Sequence, residues 1–565
     1  MSGRNVALAT GVYDGLLDFS VIQNDKRLNK AEEVRRFPRM GPGLGRGSDK
    51  GAYPADIPPV SRFLIILCLL SVLCGSTSAA PPNIVFIMSD DHAYEAVSCY
   101  GSWLKDDVVT PNIDRLAKEG VRFTNFACNN SICSPSRASF LSGQYSHKNG
   151  CTGLNGAIRK DAPIFATELG KAGYQTALFG KWHLKNVPDY FQTYKVVKGQ
   201  GKYFDPTFLT RKGTEKKTGY SSDVYTDEAL SWLKGRDEKK PFLLCLQFKA
   251  PHHDYSYAKR HDNFLEGHTF PEPATLHEDV TKTSALLKKP YWAHMSRNRA
   301  YYGRHWKDNK PPMRPVTDHK DTRAVTSAAY QHMMLKYARC VAGVDENVGR
   351  VLKYLDDQKL SEDTIVIYTS DQGYWLGQHG FYDKRLILDT SLKMPFVVRF
   401  PGHIKAGTLN ENLCANVDLA PTLLDYAGIE IPKTMQGRSL RPLLEGTSAD
   451  DWREALWYCY WGGAPNHWGV RTDRYTLVKF PGTDEIEFYD NEKDPDQTRN
   501  IAQEADYASS IRVCEAQLAR LMKEVDILPA ELPKKATSKH PAGPWTPEQG
   551  NPDDKKRPKR KPARK

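Results

Sequence analysis

The sequence is short of cysteine for its length, and its cysteines form no metal-binding motif. Eleven cysteines occur in 565 residues, and no two are separated by only two residues. A disulfide-rich scaffold and a zinc knuckle are therefore both excluded. The nine cysteines that follow residue 80 are odd in number. In an exported protein we therefore expect at least one thiol to have a fate other than a disulfide.

A general excess of charge is also missing from the body of the chain. The formal net charge is +12, but residues 1–62 carry +3 and residues 533–565 carry +8, which leaves +1 for the rest. The basic composition therefore does not indicate a nucleic-acid partner, and the Pro- and Lys-rich tail 533–565 is predicted to be a disordered, solvated extension. With 40% hydrophobic residues, the remainder can bury a sizeable core.

One apolar run near the start is too short to cross a membrane. Residues 63–74 form a 12-residue apolar run after Arg62, and small residues follow up to Ala80. A span needs roughly 20 residues, whereas this pattern is typical of a secretory signal peptide. We therefore predict a signal peptide over 63–80, an exported periplasmic or secreted protein, and no stable membrane insertion. Residues 1–62 are predicted to be a non-native or disordered extension.

Strand and helix patterns alternate after the signal, which predicts an α/β fold with a largely parallel sheet. The apolar runs 83–88, 242–248 and 364–369 are typical of strands buried on both faces. A long helix is predicted over 325–356. We expect one large domain over 81–444.

A smaller C-terminal subdomain is predicted over 445–532. Segments 469–480 and 485–489 resemble antiparallel strands, and a helix is expected at about 501–526. The segment 285–315 is different, because aromatic residues alternate there with Lys and Arg. It is either a solvated basic loop or a rim that stacks sugar rings and attracts anions, and the sequence leaves both interpretations open.

Acidic and amide side chains follow two of the predicted strands. Asp90 and Asp91 come after the first strand, and Asp371 and Gln372 come after strand 364–369. In parallel sheets, ligands bind outside the carboxyl ends of the strands. Three carboxylates and an amide oxygen are suited to a hard divalent cation, Ca²⁺ or Mg²⁺.

A cysteine at a predicted helix start is the candidate nucleophile. In the string Cys-Ser-Pro-Ser-Arg of residues 133–137, the Pro and Ser are helix-start residues. The positive end of a helix dipole and the nearby Arg137 favour an anionic group at Cys133. A cysteine at a helix start is, taken alone, more often structural.

The same string carries a family resemblance. Cys-x-Pro-Ser-Arg at 133–137, followed by Leu-Ser-Gly at 141–143, resembles the activation signature of the type I sulfatases, in which the cysteine is oxidised to formylglycine. The resemblance runs from about residue 83 to residue 505. It implies an alkaline-phosphatase-like α/β sandwich, with a large, mixed and mainly parallel sheet flanked by helices and a small antiparallel C-terminal subdomain. The domain over 81–444 would then be catalytic.

The resemblance carries site residues onto matching positions of this chain. It implies the catalytic residues Cys133, Arg137, Lys181, His183, His252 and Lys384, and the metal ligands Asp90, Asp91, Cys133, Asp371 and Gln372. Lys181, His252 and Lys384 would also bind substrate, with His253 as an alternative to His252. Gln372 departs from the Asn or His more common in the family, which leaves the choice between Ca²⁺ and Mg²⁺ open.

The resemblance also implies a mechanism and partners. Hydrated formylglycine attacks sulfur, while Arg137, Lys181 and Lys384 neutralise the sulfate oxygens. His252 with Lys384 protonates the leaving oxygen, and His183 accepts the proton whose loss expels sulfate. The partners are a sulfated carbohydrate and a formylglycine-generating maturation enzyme.

The sequence around the signature narrows the expected substrate. Residues 130–145 look most similar to those of bacterial N-acetylglucosamine-6-sulfatases and mucin-desulfating sulfatases, which favours a sulfated glycan. Three alternatives remain: an arylsulfatase of broad specificity, a phosphodiesterase or phosphonate monoester hydrolase of the same superfamily, and a binding protein for polyanions that has lost catalysis.

Overall fold

The computed structural model describes residues 80–280, 295, 314, 316–318, 321–447, 450–462 and 465–534. The predicted extension 1–62, all but the last residue of the signal peptide, most of the segment 285–315 and the tail beyond Lys534 lie outside the described residues. The interpretations of those segments therefore stay predictions.

The secondary structure alternates between strands and helices, as the sequence predicts. The strands are β1 (Asn83–Asp90), β2 (Val121–Phe123), β3 (Phe126–Ala127), β4 (Gln175–Lys181), β5 (Thr193–Val197), β6 (Thr207–Thr210), β7 (Gly213–Lys216), β8 (Phe242–Pro251), β9 (Thr364–Ser370), β10 (Trp375–Leu376), β11 (Tyr382–Asp383), β12 (Phe396–Arg399), β13 (Thr408–Asn410), β14 (Cys414–Ala415), β15 (Ala455–Tyr460), β16 (His467–Thr472), β17 (Tyr475–Lys479) and β18 (Ile486–Asp490). The α-helices are α1 (Pro111–Glu119), α2 (Cys133–Ser142), α3 (Ser146–Asn149), α4 (Phe165–Lys171), α5 (Ser221–Lys234), α6 (Thr322–Asp357), α7 (Asp389–Leu392), α8 (Leu419–Tyr426), α9 (Arg441–Leu444) and α10 (Ala508–Glu524).

A ten-stranded sheet forms the centre of the fold, in the order β13-β2-β12-β9-β1-β8-β4-β5-β6-β7. The five adjacent strands β9, β1, β8, β4 and β5 run parallel to one another. Strand β12 runs antiparallel to β9 and β2, and β6 and β7 add an antiparallel edge. The sheet is therefore mixed and mainly parallel, which confirms the predicted fold class.

Helices cover both faces of this sheet because its central strands are apolar on both sides. In β1, Val85 and Ile87 pack into a core shared with α1, α5 and α6. Ile84 and Phe86, which alternate with them, pack into a second core shared with α2, α4 and α8. Because successive side chains of β1 enter apolar cores on opposite faces of the sheet, the strand is a continuous apolar run in the sequence. The result is a three-layer sandwich.

The turn between α1 and β2 depends on a close approach of two backbones. A Cβ built on Gly120 would lie 2.1 Å from the carbonyl oxygen of Val398 in β12, so only glycine fits there. The chain after this turn forms two short strands, β2 and β3, which belong to different sheets.

The C-terminal strands β15 to β18 form a separate four-stranded antiparallel sheet. Helix α10 packs against it through Leu518 and Leu521. The predicted segment 469–480 is a hairpin of β16 and β17 rather than one strand. Strand β15 was not predicted from the sequence, although its run Ala-Leu-Trp-Tyr-Cys-Tyr is typical of a buried strand. The predicted boundary at 444 stays a prediction.

Two observations concern the export and cysteine predictions. In the described ranges, no helix is long and apolar enough to cross a membrane. All nine cysteines in those ranges are free thiols, and eight of them are buried.

Candidate active site

The predicted site residues meet at one edge of the central sheet. Asp90 ends β1 and Lys181 ends β4, while His252 and Asp371 directly follow β8 and β9. These four strands are neighbours and run parallel, so their carboxyl ends lie side by side. This is the edge where α/β sheets bind ligands.

Three buried carboxylates form the base of the site. One oxygen from each of Asp90, Asp91 and Asp371 lies within 4.8 Å of the others, and all three residues are inaccessible to solvent. Burial raises the pKa of Asp91 to about 7, with Asp90 and Asp371 adding to the effect against Lys384. Burial and Asp90 likewise raise the pKa of Asp371 to about 6. The cluster therefore favours binding of a cation, which would remove this repulsion.

A basic side chain pairs with each carboxylate. Lys384 Nζ donates to both oxygens of Asp91 at 2.6 Å. Arg137 Nε donates to Asp371 Oδ2 at 3.0 Å.

The third pair joins Lys181 Nζ to Asp90 Oδ2. Burial acts to raise the pKa of Asp90, but the charges of Lys181 and Arg137 outweigh it and hold that pKa well below its usual range. The site thus holds equal numbers of buried acids and buried bases, three of each.

Cys133 is the first residue of α2, and its side chain lies next to Asp90 and Lys181. It is 1% exposed, and its Sγ lies 3.5 Å from Asp90 Oδ1. The Sγ is also 4.0 Å from Lys181 Nζ and 4.0 Å from Gln372 Nε2. Burial raises the pKa of the Cys133 thiol in spite of the nearby lysines. An unmodified thiol here stays protonated, and a protonated thiol is a poor nucleophile.

Of the two adjacent histidines after β8, His252 contacts the cluster. Its Nε2 lies 3.6 Å from Asp91 Oδ2, and its Nδ1 lies 2.7 Å from the carbonyl oxygen of His253. The ring of His253 instead stacks on Tyr382, with centroids 5.6 Å apart. Burial holds the pKa of His252 well below its usual value, so its ring is neutral.

His183 lies beside the start of α2, where its carbonyl oxygen accepts a 2.6 Å hydrogen bond from Ser134. Its Nδ1 is buried and has no hydrogen-bond partner among the described residues. Burial, followed by the charge of Lys181, lowers the pKa of His183 to about 2. The neutral imidazole can therefore accept a proton.

Two glutamines that the sequence analysis did not single out support the basic residues. Gln247 Oε1 accepts from Arg137 Nη1 at 3.1 Å, and Gln200 Oε1 accepts from Lys181 Nζ at 2.6 Å. Gln247 is the one polar residue in the apolar run 242–248, a signal that could have identified it. Gln200 has a weaker signal, since it lies between Gly199 and Gly201, both at positive φ.

The residues present fit a hard divalent cation. Gln372 Oε1 is buried without a hydrogen-bond partner among the described residues, while its Nε2 contacts Asp91. A free amide oxygen beside three carboxylate oxygens is an all-oxygen donor set of the kind that Ca²⁺ and Mg²⁺ prefer.

Comparisons with known proteins agree with this geometry. Residues 82–429 match the sulfatase domain, and residues 377–524 match the C-terminal region of N-sulphoglucosamine sulphohydrolase. An N-acetylglucosamine-6-O-sulfatase of Bacteroides thetaiotaomicron is 38% identical over 486 residues, which cover 78% of this chain and 86% of that protein.

Two solved structures extend the comparison. One, described as a complex with its substrate D-glucosamine-2-N,6-O-disulfate, is 35% identical with a TM-score of 0.73 and covers 80% of this chain and 99% of that one. A phosphonate monoester hydrolase from Silicibacter pomeroyi shares the fold at 23% identity and a TM-score of 0.64, covering 78% of this chain and 95% of that one. Sequence and fold together show that this chain belongs to the sulfatase family, as a sulfuric ester hydrolase.

Proposed function

We propose that this enzyme removes a 6-O-sulfate from a glucosamine unit of a sulfated glycan, using a formylglycine at position 133 and one divalent cation. The observation that carries the substrate class is the 38% identity to an N-acetylglucosamine-6-O-sulfatase over most of both chains. The site supports the chemistry, because a cysteine, three carboxylates and three basic side chains converge in it.

The nucleophile requires modification of Cys133. Burial keeps its thiol protonated, so the side chain as encoded does not activate itself. A formylglycine at this position supplies, in its hydrated form, the oxygen that attacks sulfur. Because Cys133 is 1% exposed, the maturation enzyme is expected to act before the chain folds.

Asp90, Asp91, Asp371 and Gln372 would hold the cation, for which we favour Ca²⁺ over Mg²⁺. When bound, it supplies positive charge next to the nucleophile and the sulfate oxygens. The three acids and three bases of the site balance one another, so a divalent cation leaves the site with a net positive charge. This charge favours a sulfate monoester, which carries one negative charge.

The basic residues and the two histidines have separate tasks. Arg137, Lys181 and Lys384 would donate hydrogen bonds to the sulfate oxygens. The bound anion raises the pKa of His252, which together with Lys384 then protonates the leaving oxygen of the sugar. His183 is neutral and accepts the proton whose loss releases sulfate.

The chemistry is tested first by the mass of the tryptic peptide that spans residue 133, in protein purified from its native source. We expect the mass change that corresponds to replacement of H₂S by O, and sulfate release from N-acetylglucosamine-6-sulfate by the same sample. The Cys133→Ala variant is the control and should show neither. Full activity in a sample whose Cys133 is an unmodified thiol would contradict the proposed nucleophile.

Parallel assays separate the alternative substrates. We expect kcat/KM to be higher for N-acetylglucosamine-6-sulfate than for an aryl sulfate or a phosphate diester. Faster turnover of the aryl sulfate would indicate a broad arylsulfatase, and faster turnover of the diester would indicate a phosphodiesterase. Glycan binding without any turnover, together with an unmodified thiol, would indicate a binding protein.

The proposed location is outside the cytoplasm, in the periplasm or the medium. It rests on the signal-peptide pattern of residues 63–80. Amino-terminal sequencing of the native protein should give a start near Pro81, and a chain that retains residues 63–74 would contradict export by cleavage.

A further inference from the structure

A buried lysine next to the site has no part in the mechanism above. Lys249 lies near the end of β8, three residues before His252, and is 4% exposed. Its Nζ lies 4.7 Å from the ring centroid of Tyr203, whose hydroxyl donates to the carbonyl oxygen of His252. Among the described residues, the ammonium group of Lys249 makes neither a hydrogen bond nor an ion pair, although its backbone carbonyl accepts from the His252 amide. It thus differs from Arg137, Lys181 and Lys384, each of which contacts a carboxylate.

The position of Lys249 favours an anion that the protein itself does not provide. Burial of an ammonium group without a counter-ion costs free energy, and a cation–π contact with a tyrosine recovers only part of it. Burial, followed by the charge of Lys181, lowers the pKa of Lys249 to about 8. An anionic ligand that binds between Lys249 and the solvent would offset the cost of burying the ammonium group and would raise its pKa again.

The charges of the site also leave room for a second anion. The three acids and three bases balance, so the divalent cation and Lys249 together contribute three uncompensated positive charges. A sulfate monoester compensates one of them. A further anionic group on the substrate would therefore be bound favourably rather than repelled.

A cavity that adjoins Gln200 offers space for part of the sugar. It has a volume of about 550 Å³ and is lined in part by Lys198, Gln200 and Lys202, in the loop that leads to Tyr203. Gln200 connects the cavity to the site because it also contacts Lys181. Cavities of this size are typical of ligand sites.

We propose that Lys249 binds a second anionic substituent of the substrate, distinct from the sulfate ester that is cleaved, and thereby makes the enzyme selective for sugars that carry two anionic groups. This inference rests on the proposed function. The shared chemistry of such a substituent is a sulfate, sulfamate or carboxylate next to the 6-O-sulfate.

The test compares D-glucosamine-2-N,6-O-disulfate with N-acetyl-D-glucosamine-6-O-sulfate, which carries a neutral acetamide in place of the anionic sulfamate. We expect wild-type enzyme to prefer the disulfate. In Lys249→Met, kcat/KM for the disulfate should fall roughly tenfold or more, mainly through KM, because a hydrogen bond to a charged group is lost. The monosulfate should change by less than about threefold, and Lys249→Arg should retain most of the preference.

Controls keep the outcomes distinct. Lys239→Met removes an exposed lysine that precedes the opposite end of β8, and it should leave the preference between the substrates unchanged. Because Met replaces an unpaired buried charge with an apolar chain of similar size, the variant should fold, and Lys249→Gln serves as a second neutral variant. Equal losses on both substrates, or none on either, would overturn the inference and leave the proposed function standing. Failure of wild-type enzyme on both substrates would overturn both.

Discussion

Two acids with little solvent exposure, Asp389 outside the site and Asp91 within it, have opposite electrostatics. Asp389, at the start of α7, pairs with Arg471 of β16 at 3.0 Å and with Lys393 at 3.1 Å. Burial acts to raise the pKa of Asp389, but Arg471 and Lys393 outweigh it and hold that pKa far below its usual value. In the site, by contrast, burial and the neighbouring carboxylates raise the pKa of Asp91 to about 7.

The difference lies in the number and placement of partners rather than in residue type. Asp389 has two cations to itself and joins the central sandwich to the C-terminal sheet. Asp91 shares its surroundings with two other carboxylates, so one lysine does not compensate for burial and repulsion together. An acid whose negative charge is not fully neutralised by its neighbours after folding is suited to binding a ligand. An acid with two cationic partners of its own contributes instead to stability. Substitutions at the two places should therefore separate activity from stability.

The largest effect is expected for Asp91→Asn. We expect kcat/KM to fall roughly a thousandfold or more, because loss of a metal ligand costs more than the 10- to 100-fold of an outer partner. Thermal unfolding in the presence of a chelator should hardly change, since Asn removes a repelling charge and Lys384 still has Asp383 at 3.3 Å. A large fall in Tm in the chelated state would show that Asp91 is a structural acid like Asp389.

Asp389→Asn should give the converse result. Breaking a fully buried pair costs about 3–5 kcal/mol of unfolding free energy, and the loss here should approach the lower value because Asp389 is 13% exposed, while kcat of the folded fraction should stay within about threefold of wild type. Because the pKa of Asp389 is depressed on folding, its contribution is present above the unfolded value of about 4 and is lost only as the pH falls through the lower folded value. The difference in denaturation midpoint should therefore persist from pH 5 to pH 8.

A surface pair supplies the control for that experiment. Asp161 pairs with Arg159 in an exposed position, so Asp161→Asn should leave the midpoint unchanged. If Asp389→Asn also left the denaturation midpoint unchanged, the contrast between Asp389 and Asp91 would be lost.

A smaller effect is expected from the cation itself. At about 100 times its Kd, Ca²⁺ should stabilise the metal-free protein by about 2.7 kcal/mol. The raised pKa values of Asp91 and Asp371 mean that these carboxyls stabilise the metal-free fold below about pH 4 and lose that contribution as the pH rises through 6 to 7. The increase in Tm on adding Ca²⁺ should therefore be larger at pH 8 than at pH 5, where protons compete with the ion. Equal increases would argue against binding to these carboxylates.

The smallest effect is expected for Gln247→Leu. Arg137 loses one partner but keeps Asp371, so kcat/KM should fall by roughly tenfold, the cost of one hydrogen bond to a charged group. Gln175→Leu, at the opposite end of the neighbouring strand β4, should leave kcat/KM unchanged. A loss as large as that of Asp91→Asn would place Gln247 among the essential residues.

Much of this architecture is readable from local patterns. The apolar runs of β1, β8 and β9 predict buried strands because each must pack on both faces, and polar residues at their carboxyl ends predict a site at one edge. The structure brings together all ten positions that the motif matches identify. Strand β15 was missed, although its apolar run carries the same kind of signal as β1.

What local patterns do not encode is which partners meet across the chain. Lys384 pairs with Asp91 over 293 residues, and nothing near either residue indicates that pairing in preference to Asp90. His252 rather than His253 reaches the carboxylates, at the end of β8 where the register of that strand against β1 shifts between Met88 and Asp90. The sequence by itself determined the buried central strands, the polar residues at their carboxyl ends and the family of the chain. Tertiary structure alone decided the ion pairs, the orientation of the histidines and the isolation of Lys249, because these depend on register and packing between segments that are distant in sequence.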